Sequence, residues 1–211
     1  MDYLAKTYYF DYDTDEIQHI IDEFNTETLT TKEKVKQLYI KVRDGWRYDP
    51  YYIRLNKEAY KASTTAKKNS GHCLDKAILL IACLRGLGIP ARIHLAKVKN
   101  HIGVERLIEK FGTNELTPHG MINVYLNGKW LKASPAFNKA LCEKCNVAPL
   151  EFDGEQDSMF QEYDNQGGVF MEYIEDYGYF EDVPYEFILN NIKEHYTAIY
   201  KQYEGLNEIR L

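Results

Sequence analysis

No stretch of the 211-residue chain runs beyond eight apolar residues, the longest being Ala77-Ile78-Leu79-Leu80-Ile81-Ala82-Cys83-Leu84, whereas a bilayer-spanning helix needs roughly 18. No membrane partner is expected. The N-terminus, Met1-Asp2-Tyr3-Leu4-Ala5-Lys6-Thr7, lacks the basic start and apolar middle of a secretory signal, so the expected location is cytoplasmic. Cysteine is scarce. The four, at 73, 83, 142 and 145, do not read as a disulfide framework and fit a reducing compartment. Internal repeats and low-complexity tracts are absent. So are a zinc finger, an aromatic-rich ribonucleoprotein motif and a basic helix, and no nucleic-acid partner is expected.

Lysine and arginine are missing altogether from residues 145–192, which hold twelve Asp/Glu. Residues 1–30 carry eight acids against Lys6 alone, while residues 31–110 carry eighteen Lys/Arg against seven acids. Blocks of opposite sign in one small chain are expected to lie against each other, the acidic segment covering part of the basic one. With 45% hydrophobic and 27% charged residues the chain can bury a core, which excludes wholesale disorder.

Caps and periods give the organisation. Asp13-x-x-Glu16 resembles a capping box, followed by Ile17, Ile20, Ile21 and Phe24 at helical spacing; Thr30-x-x-Glu33 opens a second helix with a Val35, Leu38, Tyr39, Val42 stripe ending at Gly45. Residues 46–70 read as a long loop with one helical turn near 55–62. A helix over about 72–86 is apolar on nearly every face and therefore central. Residues 89–98 read as the first main strand, and residues 120–126 and 129–133 as a hairpin around Asn127-Gly128. An irregular, aromatic, acidic wrap follows over 150–184, then a last helix from about Tyr185 to Tyr203. The class is α+β: one domain with an N-terminal helical extension (1–30), a core (31–138), and an acidic wrap with a C-terminal helix (139–211).

Cys73 heads the central helix after Asn69-Ser70-Gly71. Unpaired N–H groups and the positive dipole end stabilise a thiolate there and can also donate to an oxyanion. A thiol nucleophile needs a proton acceptor, usually histidine. His119 opens the first hairpin strand at a sheet edge that could face Cys73, whereas His72, though adjacent, is expected to point to a different side of the helix. Cys83, ten residues on, should be core. Cys142-Glu-Lys-Cys145 has redox or metal spacing, but no second ligand pair completes a zinc site and it reads as a helix-end pair. His101, beyond the first strand, is expected at the surface or cleft rim.

Two runs resemble the transglutaminase-like superfamily. Gly71-His72-Cys73-Leu74-Asp75-Lys76-Ala77, continuing to Leu84-Arg85-Gly86-Leu87-Gly88-Ile89-Pro90-Ala91-Arg92, is similar to its nucleophile segment, and His119-Gly-Met-Ile-Asn-Val-Tyr-Leu-Asn-Gly-Lys-Trp130 to its histidine strand. The resemblance spans about 40–138. It implies a papain-like core in which the helix carrying Cys73 packs on an antiparallel sheet, with Cys73 as nucleophile and His119 as general base. Ser134 stands where the family's aspartate would, in Trp130-Leu-Lys-Ala-Ser134-Pro135; a hydroxyl can fix the imidazole tautomer but cannot stabilise an imidazolium with a full charge. Asn138 is a further candidate orienter. Met121 and Asn123 replace the family's usual aromatic and glutamate. Trp46 and Tyr48 fall where the family brings an aromatic toward the cleft, either as an oxyanion donor or simply as core. The implied chemistry is acyl transfer through a Cys73 thioester on a peptide or protein amide, hydrolysis being the first reading. Amine transfer of transglutaminase type, or a binding module on a degraded enzyme fold, are the alternatives. No metal or organic cofactor is required.

Overall fold

The computed structural model describes residues 2–202 and 205–211. Helix α1 (Asp15–Asp22) starts after an N-cap at Thr14 rather than Asp13. Helix α2 (Thr31–Gly45) has the capping box its sequence spells, with the Thr30 N–H donating to Glu33 Oε2 (2.8 Å) and the Glu33 N–H donating to Thr30 Oγ1 (3.3 Å). Residues 46–70, expected as a loop with one helical turn near 55–62, do hold that turn, as 3₁₀ over Lys57–Tyr60, but also form β1 (Arg47–Tyr48), β2 (Tyr52–Arg54), α3 (Ala62–Ala66) and the start of β3 (Ser70–Gly71). These elements are two to five residues long, so their partners rather than their own patterns define them: β1 pairs with β3 in parallel.

Helix α4 (Cys73–Gly86) follows, and every residue from Cys73 to Arg85 is buried. Then come β4 (Ala91–Asn100), α5 (Glu105–Phe111), β5 (Glu115–Leu126), β6 (Lys129–Ala133), α6 (Lys139–Lys144), β7 (Met171–Phe180), α7 (Tyr185–His195), α8 (Thr197–Gln202) and β8 (Glu208–Arg210). Strands β6, β5, β4 and β7 form an antiparallel sheet in that order, and β8 pairs with β2. Ile93, Leu95, Ile122, Val124 and Leu131 are buried in the core with α4. The β5–β6 hairpin turns on Asn127 (φ 49°) and Gly128 (φ 84°), the doubly left-handed pair that Asn-Gly favours.

Three expectations fail. β5 begins at Glu115, four residues before His119, and runs through Pro118 where the β4 ladder is interrupted between Ala96 and Val98, so the missing proline N–H breaks no pair. The acidic segment is not wholly irregular, because Met171–Phe180 joins the sheet as an edge strand. The final helix is broken at Tyr196, whose hydroxyl accepts from the Thr117 N–H (2.9 Å) and donates to the Glu115 carbonyl (3.1 Å); its expected end at Tyr203 lies outside the described residues.

The acidic segment meets the basic one through Arg43–Glu151 (2.9 Å) and Lys32–Glu155, and meets β6 through Lys132–Asp176 (3.2 Å). Beneath the sheet Lys76 of α4, fully buried, donates to the carbonyls of Arg43 (2.8 Å), Trp46 (2.8 Å) and Ala136 (2.7 Å). Three acceptors satisfy one ammonium, joining the end of α2 and the β6–α6 connection to α4. No helix among the described residues is long and apolar enough to cross a membrane.

Candidate active site

The first turn of α4 is fixed from below and from the side. Asp75, in that turn, accepts the His72 N–H (3.0 Å) and pairs with Arg54 (3.2 Å), both carboxylate and guanidinium being buried. β5 then presses its backbone onto the turn: the Gly120 N–H donates to Cys73 Sγ at 3.4 Å. A Cβ at Gly120 would stand 2.7 Å from Leu74 Cδ2 and 3.0 Å from Leu74 Cα, so only glycine admits this approach.

His119 precedes that glycine, opposite Ala96 of β4. Its ring is 2% exposed and its Nδ1 has no hydrogen-bond partner among the described residues. No bond joins it directly to the sulfur there. The imidazole against the thiol is instead that of His72, with Nδ1 3.2 Å from Sγ, which corrects the expectation that His72 points elsewhere. It occupies the residue just before the helix, where the extended backbone (φ −71°, ψ 169°) is free of the helical side-chain directions. Sequence spacing carries no signal of this, since it depends on a rotamer.

The remaining predicted residues divide. Ser134 follows β6 and, with His119, lines a cavity of about 10 Å³ closed by Met159, Phe160 and Gln161. Its backbone is held by the Ser158 carbonyl (2.9 Å) and the Tyr39 hydroxyl (2.9 Å), but no hydrogen bond joins its own hydroxyl to His119 among the described residues. Asn138 does not reach His119: its Oδ1 accepts the Tyr48 backbone N–H at 3.0 Å, so it positions Tyr48. Trp46 donates its indole N–H to the Thr65 carbonyl (3.0 Å) and has no proton left for an oxyanion. Tyr48 packs on Phe137 (centroids 4.8 Å) and stacks on His72 (6.3 Å), with its hydroxyl buried and without a partner among the described residues. Gly120 and His72 are the site residues that motif spacing passed over; a glycine inside a strand is the one signal that pointed to a close backbone approach.

Electrostatically the site is closed. Burial pushes the Cys73 thiol up to about 12, outweighing the Gly120 and Leu74 N–H groups that favour thiolate. Burial, and then the neighbouring His72, draws His119 down to about 3; burial lowers His72 as well. The depressed thiol expected from the helix end is therefore absent. A helix terminus contributes about 0.3–1 kcal/mol to a charge, up to about 2 when partly buried, while taking an ion out of water costs several. Each shift favours the neutral form, and polar atoms of His119 and Tyr48 beside them are unpaired among the described residues. Cys142 is buried in α6, with Cys145 half-buried at its end, and no group of three or more His, Cys, Asp or Glu among the described residues could hold a metal ion.

The sequence pattern of the Transglutaminase-like superfamily matches residues 18–135, more than half of the chain, and includes Cys73, His119 and Ser134. The chain belongs to the transglutaminase-like superfamily. Among solved structures it is similar to one from Cytophaga hutchinsonii, described as a candidate cysteine protease, at 17% identity and a TM-score of 0.48, covering 82% of this chain and 50% of that one. The transglutaminase-like chain thus spans half the length of that neighbour. No curated protein matches it.

Proposed function

We propose that this transglutaminase-like protein is a thiol-dependent amide hydrolase with Cys73 as nucleophile and His119 as general base. The observation that carries the reading is the Gly120 N–H on Cys73 Sγ, which sets His119, with an unpartnered Nδ1, one residue away along the same strand. Orphaned buried polar atoms cost stability and recur at reactive centres, where substrate completes the network. On entry of an amide, the Cys73 proton passes to imidazole and sulfur bonds to the carbonyl carbon. The C–N bond then breaks as imidazolium returns the proton to the departing amine, and water cleaves the thioester. Hydrolysis is preferred to amine transfer because the wide cavity beside Tyr48 has solvent-exposed cations such as Arg47 on its rim and admits water. Ser134 is the candidate orienter of His119.

A second reading makes His72 the proton acceptor, on the strength of its 3.2 Å approach. The test is iodoacetamide alkylation of Cys73 across pH, followed by mass spectrometry, with Cys83 as the internal reference in wild type, His119→Ala and His72→Ala. The proposal expects Cys73 to react at least about tenfold faster than Cys83 at neutral pH, and His119→Ala to slow it. Slowing by His72→Ala alone transfers the role to His72. Equal, slow reaction of both cysteines in all three proteins leaves a binding scaffold and no enzyme.

A further inference from the structure

Beside the head of α4 lies a cavity of about 1300 Å³, larger than the usual 300–1,000 Å³ of a small-molecule site. Tyr48, Ser70 and Phe137 form part of its wall. Tyr48 is paired with Gly71, two residues before the nucleophile, and Phe137 also lines the small cavity at His119. Its cations are Arg47, Lys67, Lys68, Arg106, Lys144 and Arg210, and its one carboxylate side chain is that of Asp49. This stands in a chain of net charge −6.

Three of the cations already have partners: Lys67 with Glu16 (2.9 Å), Arg47 with Asp49 (3.8 Å) and Arg210 with Glu208 (3.8 Å). Lys68, Arg106 and Lys144 make no ion pair among the described residues. Arg106 lies over the Tyr51 ring (4.2 Å) and Lys68 near that of Tyr52 (5.6 Å), held by aromatic faces that leave their N–H groups free. The acidic segment, which neutralises Arg43, Lys32 and Lys132 elsewhere, contributes Cys145, Asn146 and Phe170 to this wall and no carboxylate. Crowding shows in Lys68, whose pKa is lowered by burial and by Arg54. Asn100 adds a directional group: it is 5% exposed, lines the cavity, and its Oδ1 has no partner among the described residues. A carbonyl oxygen in that state lacks an N–H, which a peptide backbone supplies.

We infer that the cavity takes an acidic polypeptide segment, whose Asp/Glu side chains pair with Lys68, Arg106 and Lys144 and whose backbone N–H meets Asn100, and that this segment is the substrate delivered past Tyr48 to Cys73. The substrate part rests on the thiol reading above; the binding part does not. A single-stranded nucleic acid fits less well, because Tyr51 and Tyr52 lie beneath Arg106 and Arg210 (4.7 Å) and offer no free face for bases to stack on.

The test uses the full chain as Cys73→Ala, with fluorescein-labelled peptides of equal length that are Glu/Asp-rich, neutral or Lys-rich, and an oligonucleotide, followed by anisotropy at 50 and 300 mM salt. The acidic peptide should bind at least about tenfold more tightly than the neutral one at low salt, lose about fivefold or more at high salt, and lose about tenfold in Lys68→Gln/Arg106→Gln/Lys144→Gln. Lys129→Gln, an exposed lysine outside the cavity, should not change it. Equal binding of acidic and neutral peptides, tighter binding of the oligonucleotide, or an unaffected triple variant overturns the inference. In wild type the acidic peptide should also slow Cys73 alkylation. If Cys73 never alkylates yet the acidic peptide binds as described, the thiol reading falls and the cavity's assignment to an acidic peptide stands.

Discussion

Helix α4 carries two buried cysteines ten residues apart, and the two ends of the helix differ in everything but burial. Around Cys83 the neighbours are apolar, its sulfur has no side-chain partner among the described residues, and burial alone lifts its thiol. Around Cys73 the same desolvation acts, yet a backbone N–H and an imidazole touch the sulfur, while Asp75 Oδ1, Tyr48 Oη and His119 Nδ1 lack partners among the described residues. One end of the helix is finished as a core. The other holds unsatisfied polar groups that a folded chain does not keep without cost. The difference separates a cysteine that only fills space from one set among unsatisfied polar groups, even though exposure alone ranks them equal.

The sharpest way to break the comparison is to exchange the roles. Cys73→Ala should abolish hydrolysis of an acidic peptide, a loss of at least about 10³-fold, whereas Cys83→Ala should leave turnover per folded molecule unchanged; a peptide-cleavage assay decides between them. Next in size is Lys76→Met, in the helix turn between the two cysteines. It strands three buried carbonyls and should cost about 3–5 kcal/mol in urea unfolding. Gly120→Ala follows, at about 1–3 kcal/mol, because its Cβ meets the Leu74 backbone; Gly45→Ala, with nothing within 4 Å, should be neutral or slightly stabilising. Gly120→Ala should also raise Cys73 alkylation, since moving β5 off the sulfur relieves the burial that outweighs the Gly120 N–H.

Of comparable size to Gly120→Ala, and spread over about two pH units, is a pH dependence. His119 is held near 3 in the fold against about 6.5 unfolded, so between those values the unfolded chain binds more protons and stability falls as pH drops. His72, lowered for the same reason, adds with the same sign. From pH 7 to pH 5 the His119 contribution is about 2 kcal/mol, and His119→Gln should flatten the urea-midpoint profile by that amount. A profile identical to wild type would mean that the ring is solvated rather than sealed.

Much of the framework was legible because it is local. The Thr30/Glu33 box, the Asn127-Gly128 turn and the continuous apolar run of α4 each name a structure within a few residues. The resemblance named Cys73 and His119, which the fold carries on two elements that touch, α4 and β5. What escaped is tertiary. β7 alternates weakly and lies at a sheet edge, so its pairing with β4 leaves little hydrophobic signature. β1 and β2 exist only through Ser70–Gly71 and Glu208–Arg210. The Trp46 hydrogen bond to Thr65, the attachment of Asn138 to Tyr48 and the approach of His72 to the thiol each depend on where a distant segment or a rotamer falls. Helix-dipole reasoning on Cys73 gave the wrong sign because burial cannot be read from position in a helix alone.

Lys76 has a consequence for how the site is kept in place. Three oxygens around one centre are what a structural metal ion provides, but here the centre is an amine tethered to the helix it serves, and burial draws it down to about 7, so its N–H groups matter more than a lasting charge. It cannot be lost to a chelator, to dilution or to an exchange of ions, and high salt cannot compete for acceptors it does not reach. Its weak moment comes before folding: acetylation of the amine while the chain is still open would remove the charge and two of the three donated protons. A chain so marked would be rejected at the folding step, with the site never assembled.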